Sequence, residues 1–179
     1  MTIHSNFSLK EYNTFKIDVS AKYFVEVNTI DDIFESLTKF QDEKFLILGG
    51  GANILFSEDF DGVILFNKFR GVEITKETQE HIFYEVASGE NWNEFVMEVV
   101  SRNYGGIENL AMIPGTVGAS VIQNIGAYGV EVASVIESVS YLDLQDLTVK
   151  SLSNAECNFS YRDSIFKHDL IGKTFITKV

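Results

Sequence analysis

The sequence predicts an α+β protein built in two parts, and three observations carry that prediction. A β-α-β-loop-β order runs to about residue 70. From 71 onward a single clear helical pattern sits among strand-like runs. Between those strands lies GGIENLAMIPGTVGASVIQNIGAYG at 105–129, holding six of the 13 glycines, the one proline (Pro114) and a single charged side chain, Glu108. The run is too apolar and too uncharged for a disordered linker. It is expected to form ordered loops whose backbone approaches something closely, because glycine lacks Cβ and accepts positive φ. Amides freed in such loops can form nests that bind anions.

The elements follow in order. Residues 22–27 are rich in aromatic and β-branched side chains and read as a strand. Thr29-Ile30-Asp31-Asp32 has the form of a capping box, and Ile30, Ile33, Phe34, Leu37 and Phe40 follow at helical spacing. Residues 45–48 form a short apolar strand running into Gly49-Gly50-Gly51-Ala52-Asn53, and 62–66 form another. In the second part, 82–87 is a strand. Trp92, Phe95, Val96, Val99 and Val100 mark a helix capped by Asn91 and stopped near Tyr104-Gly105-Gly106. Residues 135–144 and 147–152 read as two strands joined by a tight turn, and 161–167 and 174–179 are strand-like as well. The sequence ends inside a strand-like segment, so an unpaired edge is expected there.

Composition narrows the function classes. A chain of 179 residues with 45% hydrophobic content, 15 Phe and seven Tyr can bury a real core. The net charge of -12 and pI of about 4.6 argue against unspecific binding to nucleic acid or to an anionic membrane. One cysteine, Cys157, excludes an intramolecular disulfide and fits a reducing compartment. The N-terminal segment lacks the pattern of a signal peptide, and no apolar run approaches the roughly 20 residues that span a bilayer. The expected location is cytoplasmic, with no obligate protein partner evident.

Gly49 to Asn53 follows a strand, as a phosphate-binding turn does. A dinucleotide G-x-G-x-x-G fingerprint counted from Gly49 needs glycine at 54, where Ile54 stands. The same glycines also suit a plain chain reversal. Gly172-Lys173-Thr174 lacks the upstream glycine of a P-loop, Lys167 standing there. His4, His81 and His168 are far apart, and no metal site is expected. In Tyr161-Arg162-Asp163-Ser164, Arg162 has two readings. Its planar fork of donors suits a carboxylate or phosphate; alternatively, it forms a surface ion pair with Asp163 or another acid.

Three segments together, LILGGGANILF at 46–56, IPGTVGASVIQNIGAYG at 113–129 and YRDSIFKH at 161–168, resemble the UDP-N-acetylenolpyruvoylglucosamine reductase (MurB) family of peptidoglycan synthesis. Tyr12-Asn13-Thr14-Phe15 and residues 110–114 match as well. The resemblance implies a two-lobed FAD-binding fold of the vanillyl-alcohol-oxidase (PCMH) type, with lobe 1 over 1–70, lobe 2 over 71–179 and no substrate-binding domain. It implies FAD as cofactor and NADPH as hydride donor. The pyrophosphate region would be held by Gly49, Gly50, Gly51, Ala52 and Asn53. Pro114, Gly115, Thr116, Gly118, Ala119 and Ser120, with Gln123, Asn124, Gly126, Ala127 and Gly129, would surround the pyrophosphate and the flavin ring side.

By the same resemblance, Tyr161 and Arg162 would contact a UDP-sugar enolpyruvate, and Arg162 would bind its carboxylate and stabilise the enolate formed as hydride arrives. Three departures stand out. Ala52 replaces a Ser or Thr common in the family, and Val121 replaces a frequent proline. The family's proton-donor serine and its C-terminal glutamate have no counterpart, Ser164 belonging to the YRDS segment. The reading is an enzyme by family, an NADPH-dependent oxidoreductase, whose FAD-binding part alone is expected to be inactive. The alternative is a stand-alone, non-catalytic flavin-binding module.

Overall fold

In the computed structural model, which describes residues 1–179, the chain divides into Met1–Phe69 and Arg70–Val179. The first unit contains β1 (Thr2–Ser8), β2 (Ser20–Val27), α1 (Ile30–Lys39), β3 (Phe45–Leu48) and β4 (Phe60–Asn67), with sheet order β1-β2-β4-β3. β4 runs parallel to both β2 and β3, and β1 is antiparallel to β2. Val63, Ile64 and Leu65 are consecutive and fully buried, which a strand achieves only when both faces are covered. The capping box forms as read: Thr29 Oγ1 accepts the Asp32 amide at 3.2 Å, and the Asp32 carboxylate accepts the Thr29 amide at 3.1 Å. On one side of the sheet Phe7 stacks on Phe24 at 4.3 Å and Tyr12 meets Phe66 edge-on. β1 is one strand the sequence pattern hides, and Val72–Glu77 in the second unit is another. The polar side chains of β1 are mostly exposed, so it has no apolar alternation to read.

The second unit holds β5 (Val72–Glu77), β6 (Ile82–Val86), α2 (Trp92–Ser101), α3 (Val117–Ile122), β7 (Gly126–Ala127), β8 (Val130–Glu131), β9 (Ser138–Asp143), β10 (Val149–Ser153) and β11 (Thr174–Lys178). β5 pairs with β6, and β9 lies between β10 and β11, all antiparallel. The open edge expected at the last strand is closed along its C-terminal end. On its far side Val179 exchanges two backbone hydrogen bonds with Val86, at 2.8 and 2.9 Å, and the Ser88 amide donates to Thr177 O. The C-terminal end of β11 is therefore bonded on both sides.

Asn91 caps α2 by accepting the Glu94 amide, and Trp92, Val96 and Val99 are its buried side chains. The helix stops short of its glycines. Asn103, at φ 62, takes the left-handed position; its amide bonds Val100 O and that of Tyr104 bonds Val99 O. That is a Schellman ending, in which asparagine can replace glycine.

Two further expectations are corrected. The glycine-rich run is not loop alone: Thr116 caps a six-residue helix, α3, too short to show a helical period in sequence. The stretch 161–167 is not a strand but a tight turn followed by a 3-10 turn over Ile165–Lys167. Ile165 and Phe166 both point inward without alternating, with Phe166 packed edge-on against Tyr141. Beside them Cys157 is buried, and burial, with Glu156 nearby, pushes its thiol up to about 11. No helix is long and apolar enough to cross a membrane.

Candidate functional site

In the first unit, the glycine turn after β3 is shaped by the chain before any ligand. Gly51 has φ +63, and a Cβ there would lie 2.0 Å from Tyr12 O. Its carbonyl accepts the Thr14 amide at 3.1 Å. The opposing segment is rigid because buried Asn13 donates to Leu9 O and Ile17 O and accepts the Ile17 amide. This is the physical content of the Tyr12-Asn13-Thr14 motif: it forms the floor on which Gly49 to Asn53 rests. Gly50 and Asn53 are exposed, and Gly49 and Ala52 are half-buried. The Gly51 and Ala52 amides meet no backbone acceptor.

In the second unit, the start of α3 is already satisfied. The Val117 amide donates to Glu90 O, Gly118 to Ser88 O and Ala119 to Thr116 Oγ1. A Cβ on Gly118 would fall 2.6 Å from Ser88 Cβ, so this glycine serves close packing of the chain on itself. Ser120 is buried, its hydroxyl donating to Val117 O. Gly115 differs: it holds φ +127, and a Cβ there would meet open space. Pro114 is exposed, while Thr116, Ala119 and Gln123 are half-buried.

Beyond α3 the chain forms two turns. β7 and β8 are joined through Tyr128 (φ 51) and Gly129 (φ 80), the double positive φ of a type I′ hairpin. The second turn spans Ser160–Asp163, whose end residues exchange backbone hydrogen bonds at 3.1 Å. It presents Tyr161, 82% exposed, and Arg162 in the left-handed region at φ 55. A cavity of about 680 Å³ is lined by Gly126, Ala127, Tyr128, Gly129, Val130, Glu131, Ser134, Tyr161 and Arg162. The structure thus brings the Gly126–Gly129 part of the sequence-read set to Tyr161 and Arg162, while Pro114 to Ser120 do not line this cavity.

Arg162 forms no ion pair with Asp163 or any other acid within 4 Å; it donates to Gly126 O at 2.5 Å. Asp163 turns instead to His168 Nε2 at 2.7 Å, and its carboxyl is held below its ordinary pKa first by that contact and then, against desolvation, by charge and neighbouring donors. Lys167 Nζ donates to Arg162 O. Glu131 was not read from sequence, and nothing local marks it; only the hairpin brings it to the cavity. No group of His, Cys, Asp and Glu side chains is placed to hold a metal ion.

Comparison with known proteins follows the same lines. The FAD binding domain family matches residues 21–152. The chain is 42% identical over its full length to the UDP-N-acetylenolpyruvoylglucosamine reductase of Flavobacterium johnsoniae, covering 53% of that protein. It is 44% identical to the one of Aliivibrio fischeri, covering 52%. The chain therefore spans about half the length of the curated relatives it matches. Among solved structures, the MurB reductase of Thermus caldophilus superposes with TM-score 0.75 at 23% identity, over 99% of this chain and 60% of that one. A solvent-stable cholesterol oxidase superposes with TM-score 0.68 at 10% identity, over 99% of this chain and 37% of that one. At such identities the likeness shows the fold, which hosts different chemistries. The chain belongs to the FAD binding domain family and has its two-lobed fold of the vanillyl-alcohol-oxidase (PCMH) type.

Proposed function

We propose that this chain is the FAD-carrying part of a UDP-N-acetylenolpyruvoylglucosamine reductase, acting in the cytoplasm on a peptidoglycan precursor. The observation that carries the reading is Arg162. In a chain of net charge -12, its guanidinium is exposed beside a cavity with no acidic partner. A planar cation left unpaired among so many carboxylates suits an anionic ligand, and its fork suits a carboxylate.

The residues also fit FAD. The Gly51 and Ala52 amides are free of backbone acceptors, which suits a pyrophosphate in a chain with only 14 Lys and Arg. Gly115 and Gly129 hold positive φ with open space where a Cβ would stand. Gly49 to Asn53 are the candidates for the pyrophosphate in the first unit, and Gly115, Thr116 and the Gly126–Gly129 hairpin are the cofactor candidates in the second. When bound, FAD would supply a hydride store between NADPH and an enolpyruvyl double bond.

The protein's own part is to bind and polarise. Arg162 would hold the enolpyruvyl carboxylate and stabilise charge developing on it, with Tyr161 beside it. Ser164 is no proton donor: its hydroxyl is buried and donates to Ile122 O at 2.6 Å. The chain spans about half the length of its curated relatives, and the activity we propose for it by itself is flavin binding.

Titrating the purified chain with FAD and following flavin fluorescence tests the reading. Saturable one-to-one binding is expected, weakened in Gly115→Val because φ +127 belongs to glycine and the new side chain enters the open space. Absence of saturable binding by the unaltered chain would sink it.

A further inference from the structure

The resemblance counts Asn124 among the residues around the cofactor, but the structure gives its side chain other work. Asn124 is fully buried and holds φ 46. Its Nδ2 donates to Glu131 Oε2 at 2.9 Å and to Ser160 O at 2.9 Å, and its Oδ1 accepts the Ala133 amide at 3.0 Å. Both N–H donors are engaged within the fold. The partners are informative. Glu131 belongs to β8 of the hairpin carrying Tyr128, Ala133 follows that hairpin, and Ser160 opens the turn carrying Tyr161 and Arg162. One carboxamide therefore ties together the two turns that line the cavity.

That turn needs external support. Arginine at φ 55 sits in the left-handed region, where the Cβ of an L-residue crowds the following carbonyl. Within the turn only the two reciprocal Ser160–Asp163 backbone bonds hold it closed. Arg162 itself reaches back to Gly126 O, so hairpin and turn are linked twice, through the Asn124 carboxamide and through the Arg162 guanidinium. We propose that Asn124 is a positioning residue: by joining Glu131, Ala133 and Ser160 it holds the Ser160–Asp163 turn so that the Arg162 guanidinium faces the cavity. Arg162 as a carboxylate site rests on the function proposed above; the link between the turns does not.

The two statements separate in one set of measurements on the isotopically labelled chain. Asn124→Asp keeps the acceptor for Ala133 but sets oxygen against the Glu131 carboxylate and Ser160 O. Amide exchange at Tyr161 to Ser164 should quicken roughly tenfold or more, the scale of losing one or two hydrogen bonds. Exchange in β9 and in residues 1–69 should not change. Pyruvate serves as the carboxylate probe, read at the Arg162 Nε resonance, and should bind the variant about tenfold more weakly. Adding Glu131→Gln to Asn124→Asp restores a donor opposite the new carboxylate and should recover much of both effects, a rescue that general loosening would not show. If Asn124→Asp fails to fold, Glu131→Ala removes one of the three bonds and should give an intermediate acceleration confined to the same turn.

Unchanged exchange and unchanged pyruvate response in the variants would overturn the proposal. So would loss of FAD binding with the turn still protected, which would make Asn124 a cofactor ligand. If Arg162 of the unaltered chain ignores pyruvate while the exchange changes appear, the positioning link stands and the carboxylate reading falls.

Discussion

Replacing Gly51 with alanine separates a glycine fixed by close approach of the chain from one, such as Gly129, whose Cβ space is open. The added Cβ would sit 2.0 Å from Tyr12 O and 2.8 Å from Tyr12 C, both backbone atoms. The segment cannot step aside freely, because Asn13 pins it with three hydrogen bonds. Left-handed φ for alanine costs about 1–2 kcal/mol. Moving the two segments apart breaks the Thr14–Gly51 bond, worth about 1 kcal/mol. Overpacking adds roughly 1–3 kcal/mol. The total, about 3–6 kcal/mol, is a large share of an ordinary domain's stability.

Gly129→Ala is the control. It too has positive φ, +80, but its Cβ would meet nothing within 4 Å, so only the conformational cost of about 1–2 kcal/mol applies. Urea unfolding followed by far-UV circular dichroism gives both values, and hydrogen exchange assigns the Gly51 loss to residues 1–69. FAD affinity should fall in Gly51→Ala, since the displaced turn carries the Ala52 amide. A Gly51→Ala variant no less stable than Gly129→Ala would refute the reasoning that close chain approach dictates this glycine.

Two other outcomes follow from single side chains. In a protein extended to the length of its relatives, Arg162→Lys should leave flavin reduction by NADPH nearly normal and slow reoxidation by the enolpyruvyl substrate by about 10²-fold, measured by stopped-flow absorbance; the reverse pattern would assign Arg162 to the nicotinamide cofactor or the fold. On the β9–β10 hairpin, Lys150 bonds both Asp143 and Asp146, and these contacts, with Thr148, hold the Asp146 carboxyl down at about 2. A carboxyl whose folded pKa is depressed stabilises the fold above its ordinary value near 4 and loses that contribution as pH falls toward about 2. Lys150→Met should therefore flatten the decline of melting temperature between those limits, and an unchanged slope would show that the cluster does not contribute.

Some of this protein was legible residue by residue. The α1 capping box, the Asn91 cap and the β3 strand are set by short-range rules: a side-chain oxygen meets an amide three residues on, or an apolar run has no polar alternation. The glycine-rich run announced close approach, and its motifs carried the family. The missed elements share one cause. β1 and β5 are held in place by ladder bonds to β2 and β6, and their exposed side chains leave no periodic trace. α3 exists because Thr116 caps it and Ser88 and Glu90 take its first amides, partners on the far side of α2 in sequence.

The site divides in the same way. Sequence alone singled out the glycines and Arg162 as candidates, because their chemistry is intrinsic: no Cβ in one case, a fixed fork of donors in the other. Which glycines face open space and which face the chain itself was decided only by tertiary structure. Gly51 and Gly118 are filled by Tyr12 and Ser88, whereas Gly115 and Gly129 are open. Likewise the freedom of Arg162 from Asp163, and the link from Asn124 to Ser160, depend on which turns meet. A missing Cβ is a property of one residue; what occupies its space is a property of residues brought together from elsewhere in the chain.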